Sequence, residues 1–157
     1  MRLILERAID QDAEALVDFE HKVADPRIYG PTLDVPGALE EIKKNTFCFI
    51  KTDDVIIGTA AYRSRTDKSV YISNVAVDPA YRRQGVARAA MSHILENCKE
   101  APRVDLVTHP ENNHALQLYT SLGFKVESRK ENYFGDGEPR LVLVLAHPQP
   151  EVRHDIV

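Results

Sequence analysis

The chain has 157 residues, 43% hydrophobic and 28% charged, with a formal net charge of -4. That length suits one domain with a sizeable core, and a mildly acidic balance lacks the basic surplus of a nucleic-acid binder. No apolar run approaches the roughly 18 residues of a membrane span, no signal-peptide core follows Met1, and Cys48 and Cys98 make neither a disulfide framework nor a metal-type spacing, so a cytoplasmic setting without membrane, nucleic acid or metal is expected.

Leu3 to Ile9 alternates apolar and charged residues, the pattern of a half-buried strand. Asp10 or Asp12 can cap a helix over Ala13 to Val23, with Ala15, Leu16 and Phe19 on one face. Asp25 to Gly37 holds three prolines and two glycines and reads as a loop. A short helix over Ala38 to Asn45 follows. Phe47 to Lys51, Val55 to Arg65 and Val70 to Val77 read as three antiparallel strands, the first two joined by a tight turn at Asp53-Asp54. After a basic loop, Val86 to Cys98 is a helix with no internal Pro or Gly. Val104 to Thr108 is a strand, and Asn112 to Leu122 a helix closed by Gly123. Phe124 to Tyr133 and Leu141 to Leu145 are strands around a Gly135-Asp136-Gly137 turn. The sum is an α+β fold in residues 1–146, with a tail over residues 147–157.

Two segments carry chemistry. Arg82-Arg83-Gln84-Gly85-Val86-Ala87-Arg88 places arginines at the start of a helix whose N-terminus already bears about half a positive charge. A solvated basic turn is the plain reading. A bound anion, with phosphate or pyrophosphate the usual candidate, is the functional one. Gly85 lets the backbone approach such an anion, and Ala87 leaves room beside it. In the second segment, Ala115, Leu118 and Leu122 share a helical face, and Tyr119 lies beside that face, where it can reach a cleft. Read alone, Tyr119 is a boundary aromatic and Asn112 a helix cap.

Together the two segments resemble the signatures of the GCN5-related N-acetyltransferase (GNAT) superfamily. The first matches as Arg82-x-x-Gly85-x-Ala87 after a Val-Ala-Val-Asp-Pro strand end. The second matches as Asn112, Ala115, Leu118, Tyr119, Gly123 and Phe124. The resemblance implies a central, mixed, mostly antiparallel sheet of about seven strands flanked by about four helices. It implies acetyl-CoA as the acyl donor, with no metal, and a primary amine on a small molecule, peptide or protein as the acceptor. Dimers are common in the superfamily, so a homodimer is an expected state.

The same resemblance implies that Val75, Ala76 and Val77 pair with the pantetheine arm at a bulge, with the Val77 N–H as oxyanion donor. Arg82, Arg83, Gln84, Gly85, Val86, Ala87 and Arg88 would hold the pyrophosphate, and Asn112 the cofactor arm. Tyr119 would protonate the leaving thiolate. The carboxylates that serve as bases in some members fall here on Val107 and Tyr71, so neither is present. His109 is a candidate base acting through water, beside a water chain with no dedicated base. Tyr29 and Tyr133 are candidate acceptor contacts, or two exposed loop aromatics. The rival reading is a degenerate acyl-CoA-binding sensor of the same fold. A nucleotide-binding protein is disfavoured because both glycine fingerprints of that class are missing.

Overall fold

The computed structural model describes residues 1–29 and 32–146. Seven strands form one sheet: β1 (Ile4–Arg7), β2 (Thr46–Thr52), β3 (Val55–Ser64), β4 (Val70–Val77), β5 (Arg103–Thr108), β6 (Lys125–Lys130) and β7 (Arg140–Ala146). Their order is β1-β2-β3-β4-β5-β7-β6. Every neighbouring pair is antiparallel except β4 and β5. The helices are α1 (Ala13–Val23), the single turn α2 (Pro26–Tyr29), α3 (Val35–Lys44), α4 (Val86–Asn97) and α5 (Asn113–Ser121). The expected α+β sheet of seven strands is therefore observed, with five helices rather than four. None of the described helices is long and apolar enough to cross a membrane.

The two faces of the sheet are covered by different helices because the strands alternate. Leu16, Ala38 and Ile42 of α1 and α3 pack on Phe47, Phe49 and Ala61. Val86, Ala90, Met91, Ile94 and Leu95 of α4 pack on Ile57, Val70, Ile72 and Val104 of the opposite face. The α4 positions recur at helical spacing, which makes one continuous apolar stripe. Each of the larger side chains in this stripe, fully buried, contributes roughly 1.5–3 kcal/mol of hydrophobic stabilisation.

Three boundaries depart from the sequence reading for local reasons. The Asp25–Gly37 stretch is not all loop. Pro26 begins α2, where the missing N–H of proline costs nothing, and the Asp25 carbonyl accepts from the N–H groups of Ile28 and Tyr29. Asp34 caps α3 by accepting from Gly37 N–H at 2.8 Å, so Pro36 and Gly37 lie inside its first turn. Strand β6 ends at Lys130, short of Tyr133, and residues 131–139 form an exposed turn region leading to Arg140. The tail over residues 147–157 lies outside the described residues.

Two features of the central strands create an opening. Relative to β3, the register of β4 shifts between Ile72 and Asn74, which makes Ser73 the extra residue of a β-bulge. The expected bulge is thus present, a little upstream of Val75–Val77. The parallel pairing of β4 with β5 covers only Val70–Ile72 against Val104–Leu106. Beyond those positions the two strands separate, and their C-terminal ends form the arms of a wedge.

Candidate active site

Two adjoining chambers occupy the wedge. The larger, of about 500 Å³, is lined by Val75–Val77 of β4, the loop carrying Arg82, Arg83 and Gly85, the first turn of α4, and Asn112, Ala115, Leu118 and Tyr119 around α5. The smaller, of about 120 Å³, lies on the α1 side and is lined by Glu20, Tyr71, Asn74, Thr108 and Arg140, among others. Tyr29, Val75, Ala76, Asn112 and Tyr119 line both. These five residues mark where the chambers meet.

The floor of the large chamber is an exposed strand edge. Asp78 N–H donates to the Ile57 carbonyl at 2.8 Å, toward β3. Backbone groups alternate sides along a strand, so the N–H of Val77 turns away from β3 into the wedge. The Val77 carbonyl turns the same way and accepts from Arg82 Nε at 3.3 Å. This contact folds the basic loop back over the strand end.

The loop itself carries two left-handed residues. Arg83 has φ of 64° and Gly85 φ of 77°, both left-handed. Left-handed backbone costs a non-glycine residue roughly 1–2 kcal/mol, and alternating hands in a short loop make successive N–H groups converge into an anion-binding nest. A Cβ at Gly85 would meet nothing within 4 Å. Glycine is required there by its φ, not by crowding. Ala89 N–H is bonded to the Gly85 carbonyl, so the N–H groups of the α4 first turn ahead of it point out of the helix end. Arg82, Arg83, Gly85, Val86, Ala87 and Arg88 all line the chamber. Gln84 does not, and its amide donates to the Ala80 carbonyl at 3.5 Å. Arg88 also donates to Ser121 Oγ at 2.8 Å, tying α4 to α5.

Tyr119 is 7% exposed and its ring packs on Phe124, 6.0 Å between centroids. Among the described residues no group hydrogen-bonds its hydroxyl, and the residue lines both chambers. Burial, reinforced by the neighbouring Tyr29, pushes its pKa well above that of an ordinary phenol. It therefore stays protonated through the neutral and alkaline range. Tyr29 accepts from Arg82 Nη2 at 3.4 Å, bridging the basic loop and the α2 turn.

The other sequence candidates fall elsewhere. His109 is buried and lines neither chamber. Its Nδ1 accepts from Glu111 N–H at 3.0 Å, and its Nε2 lies 3.3 Å from a Glu138 carboxylate oxygen. With Nδ1 accepting, Nε2 carries the proton and donates it, so both nitrogens are occupied. Tyr133 is exposed and stacks edge-on against Phe134; Phe134, not Tyr133, lines the small chamber. Arg27 of α2 is bonded to Glu111 and lies 3.9 Å from Glu138, which fastens the roof of the small chamber to the β6–β7 turn.

Sequence reasoning missed Glu20, Asn74 and Arg140, all in the small chamber. Asn74 Oδ1 accepts from Thr59 Oγ1 at 2.6 Å. Arg140 is 1% exposed, stacks over Phe134, and donates to Asp136 Oδ2 and the Pro139 carbonyl. A buried arginine and an inward asparagine have no local pattern. Glu20 could have been found, since it shares the α1 face of Phe19 and Val23, where a carboxylate is out of place. Among the described residues no group of three or more His, Cys, Asp or Glu is placed to hold a metal ion.

Comparison with known proteins agrees with this architecture. The chain is 36% identical over 78 residues to the ribosomal protein bS18-alanine N-acetyltransferase of Escherichia coli K12, covering 48% of this chain and 53% of that enzyme. The chain thus spans about half the length of the curated relatives it matches. The crystal structure of the Escherichia coli ribosomal-protein-S18-alanine N-acetyltransferase superposes with a TM-score of 0.78 at 20% identity, covering 97% of this chain and 98% of that one. The yncA protein of Salmonella typhimurium, solved with its cofactor acetyl-CoA, gives 0.74 at 18% identity with 99% of both chains covered. These two structures share the fold. The pattern of the Acetyltransferase (GNAT) family matches residues 9–124, so the chain belongs to that family.

Proposed function

We propose that the protein transfers an acetyl group from acetyl-CoA to a primary amine by direct attack within a ternary complex. The observation that carries this reading is the meeting of three parts at one point. An unpaired strand edge at Val75–Val77, a basic left-handed loop at a helix N-terminus, and Tyr119 all line the wedge. The salmonella neighbour solved with acetyl-CoA supports the choice of donor. The name of the Escherichia coli relative supports including peptide N-terminal amines among the acceptors.

In this reading the loop from Arg82 to Arg88 and the α4 N-terminus hold the pyrophosphate. The pantetheine arm lies along β4 and takes the place that β5 vacates, with Asn112 against it. Val77 N–H donates to the thioester oxygen and strengthens that bond as the oxygen becomes anionic. The ammonium first loses a proton to water; the amine lone pair then forms the new C–N bond, and the C–S bond breaks. Tyr119 hydrogen-bonds the departing thiolate, and the nitrogen gives up its surplus proton to water. Gln84 shapes the loop through Ala80, and His109 holds Glu111 and Glu138 in place. Tyr29 sits where donor and acceptor meet, and Tyr133 buttresses Phe134.

Release of thiol from acetyl-CoA in the presence of an amine panel that includes peptides with free N-termini is the direct test. Tight acetyl-CoA binding with no release for any amine would overturn the reading in favour of an acyl-CoA sensor. Arg82→Ala should separate binding from chemistry. A lost charge-assisted contact of about 1.5–3 kcal/mol corresponds to a Kd for acetyl-CoA raised roughly ten- to hundredfold. The salt dependence of binding should weaken with it, while kcat at saturating donor stays within about twofold. An unchanged Kd would remove Arg82 from the pyrophosphate site.

A further inference from the structure

The small chamber contains an unbalanced carboxylate. Glu20 projects from α1 between Phe19 and Val23, both of which pack on Ala76 of β4. Its Oε2 accepts from the Leu33 N–H at 3.1 Å, which anchors the side chain in one orientation. Its other oxygen has no hydrogen-bond donor among the described residues. Desolvation raises its pKa, and Glu41 of α3 adds like charge; the Leu33 N–H and His21 only partly offset this. No Lys or Arg among the described residues pairs with it. Arg140, the cation lining the same chamber, is spent on Asp136 and the Pro139 carbonyl. Glu20 is half-buried and lines the chamber, so its carboxylate is open to a cationic ligand there and has no protein cation beside it among the described residues.

We infer that Glu20 is the acceptor-recognition residue: its carboxylate receives the ammonium of a compact, cationic primary amine as that amine enters the small chamber. The inference rests on the acetyltransferase reading for what happens next, but not for the binding itself. The chamber has the right connection, since Glu20 and Tyr119 line the same 120 Å³ and Tyr119 also lines the larger chamber. It also has a size limit. At about 120 Å³ it is the narrower of the two chambers, which suits an ammonium on a carbon with one or two small substituents. A bulky or neutral head group would leave Glu20 desolvated and unpaired.

L-alaninamide and its N-acetylated, neutral counterpart are suitable probes, titrated by calorimetry onto the full chain saturated with coenzyme A. The wild type should bind the cation at least tenfold more tightly than the neutral form, the yield of one charge-assisted contact. Glu20→Gln keeps an oxygen for the Leu33 N–H and should remove that preference. In turnover it should raise the KM for the amine at least tenfold, with the KM for acetyl-CoA unchanged. Glu20→Asp should recover part of the discrimination. Because burial disfavours the charged form of Glu20, the Gln variant should melt no lower than wild type at neutral pH, which separates lost recognition from lost folding. A wild type that binds both probes equally, or a Gln variant that keeps the preference, would overturn the inference. Glu20-dependent binding without thiol release would instead uphold it and sink the transferase reading.

Discussion

Tyr119→Phe should lower kcat by about a hundredfold while leaving acetyl-CoA binding within about twofold of wild type. The magnitude follows from the chemistry of the pair. An ordinary phenol near pKa 10 faces a thiolate whose parent thiol lies near 8.5, so full proton transfer is uphill by about 2 kcal/mol before burial is counted. Burial raises the Tyr119 pKa further. The hydroxyl is therefore a reliable donor but a reluctant acid, and in the proposed mechanism its part is mainly to hydrogen-bond the sulfur as charge arrives. That places the loss at the lower end of the 10²–10⁴ range of acid–base catalysis. It also means that an alkaline limb in the pH–rate profile below about pH 10 belongs to another group. The substitution is nearly isosteric, and the described structure gives the hydroxyl no partner to lose, so the melting temperature should hold. Single-turnover rates with calorimetric donor binding provide the check; an unchanged kcat removes Tyr119 from the mechanism.

Gly58→Ala should damage both stability and activity from a residue that touches neither chamber. Gly58 pairs with Ile50 on one side and Val77 on the other. A Cβ there would lie 2.8 Å from the Ala76 carbonyl oxygen and 2.9 Å from Ile50 Cδ1. The side chain of Ile50 is wholly buried and cannot swing aside, so β4 must move at Ala76. Overpacking of this kind costs about 1–3 kcal/mol, and a chain of this length loses roughly 2–4 °C of Tm per kcal/mol. A drop of about 6 °C is expected. The displaced segment carries the Val77 N–H, and misplacement near 1 Å is enough for a hundredfold rate loss; kcat should fall at least tenfold at temperatures where the variant remains folded. A variant with wild-type Tm and kcat would show that the strand end tolerates displacement.

Much of this architecture was readable because its signals are local. Period-two and period-3.6 patterns, the Asp53-Asp54 turn and the Gly123 helix stop each depend on neighbours in sequence. The helix starts at Pro26 and Val35 were not read, because proline and glycine in a first turn look like loop when the cap itself is overlooked. The large chamber is lined by the end of β4, the loop that follows it, the start of α4 and one face of α5, so most residues named from the two sequence segments come to line it. Gln84 is the exception, turned away by its bond to Ala80. The small chamber is assembled from α1, β4, β5 and the β6–β7 turn, and no sequence window contains it. His109 illustrates the difference: its type and position near the cleft suggested a base, while Glu111 and Glu138, which occupy its nitrogens, become neighbours only in the fold.

The three-residue pairing between β4 and β5 has a mechanical consequence. The sheet is two plates, a four-stranded one and a three-stranded one, joined at a short seam and open above it. Few backbone hydrogen bonds cross that seam, so cohesion between the plates falls on side chains, chiefly those of α4, which packs on strands of both. A ligand lying in the wedge touches both plates and acts as a missing rung between them. Its binding energy then adds to the cohesion of the whole sheet, about 2.7 kcal/mol at a hundredfold excess over Kd.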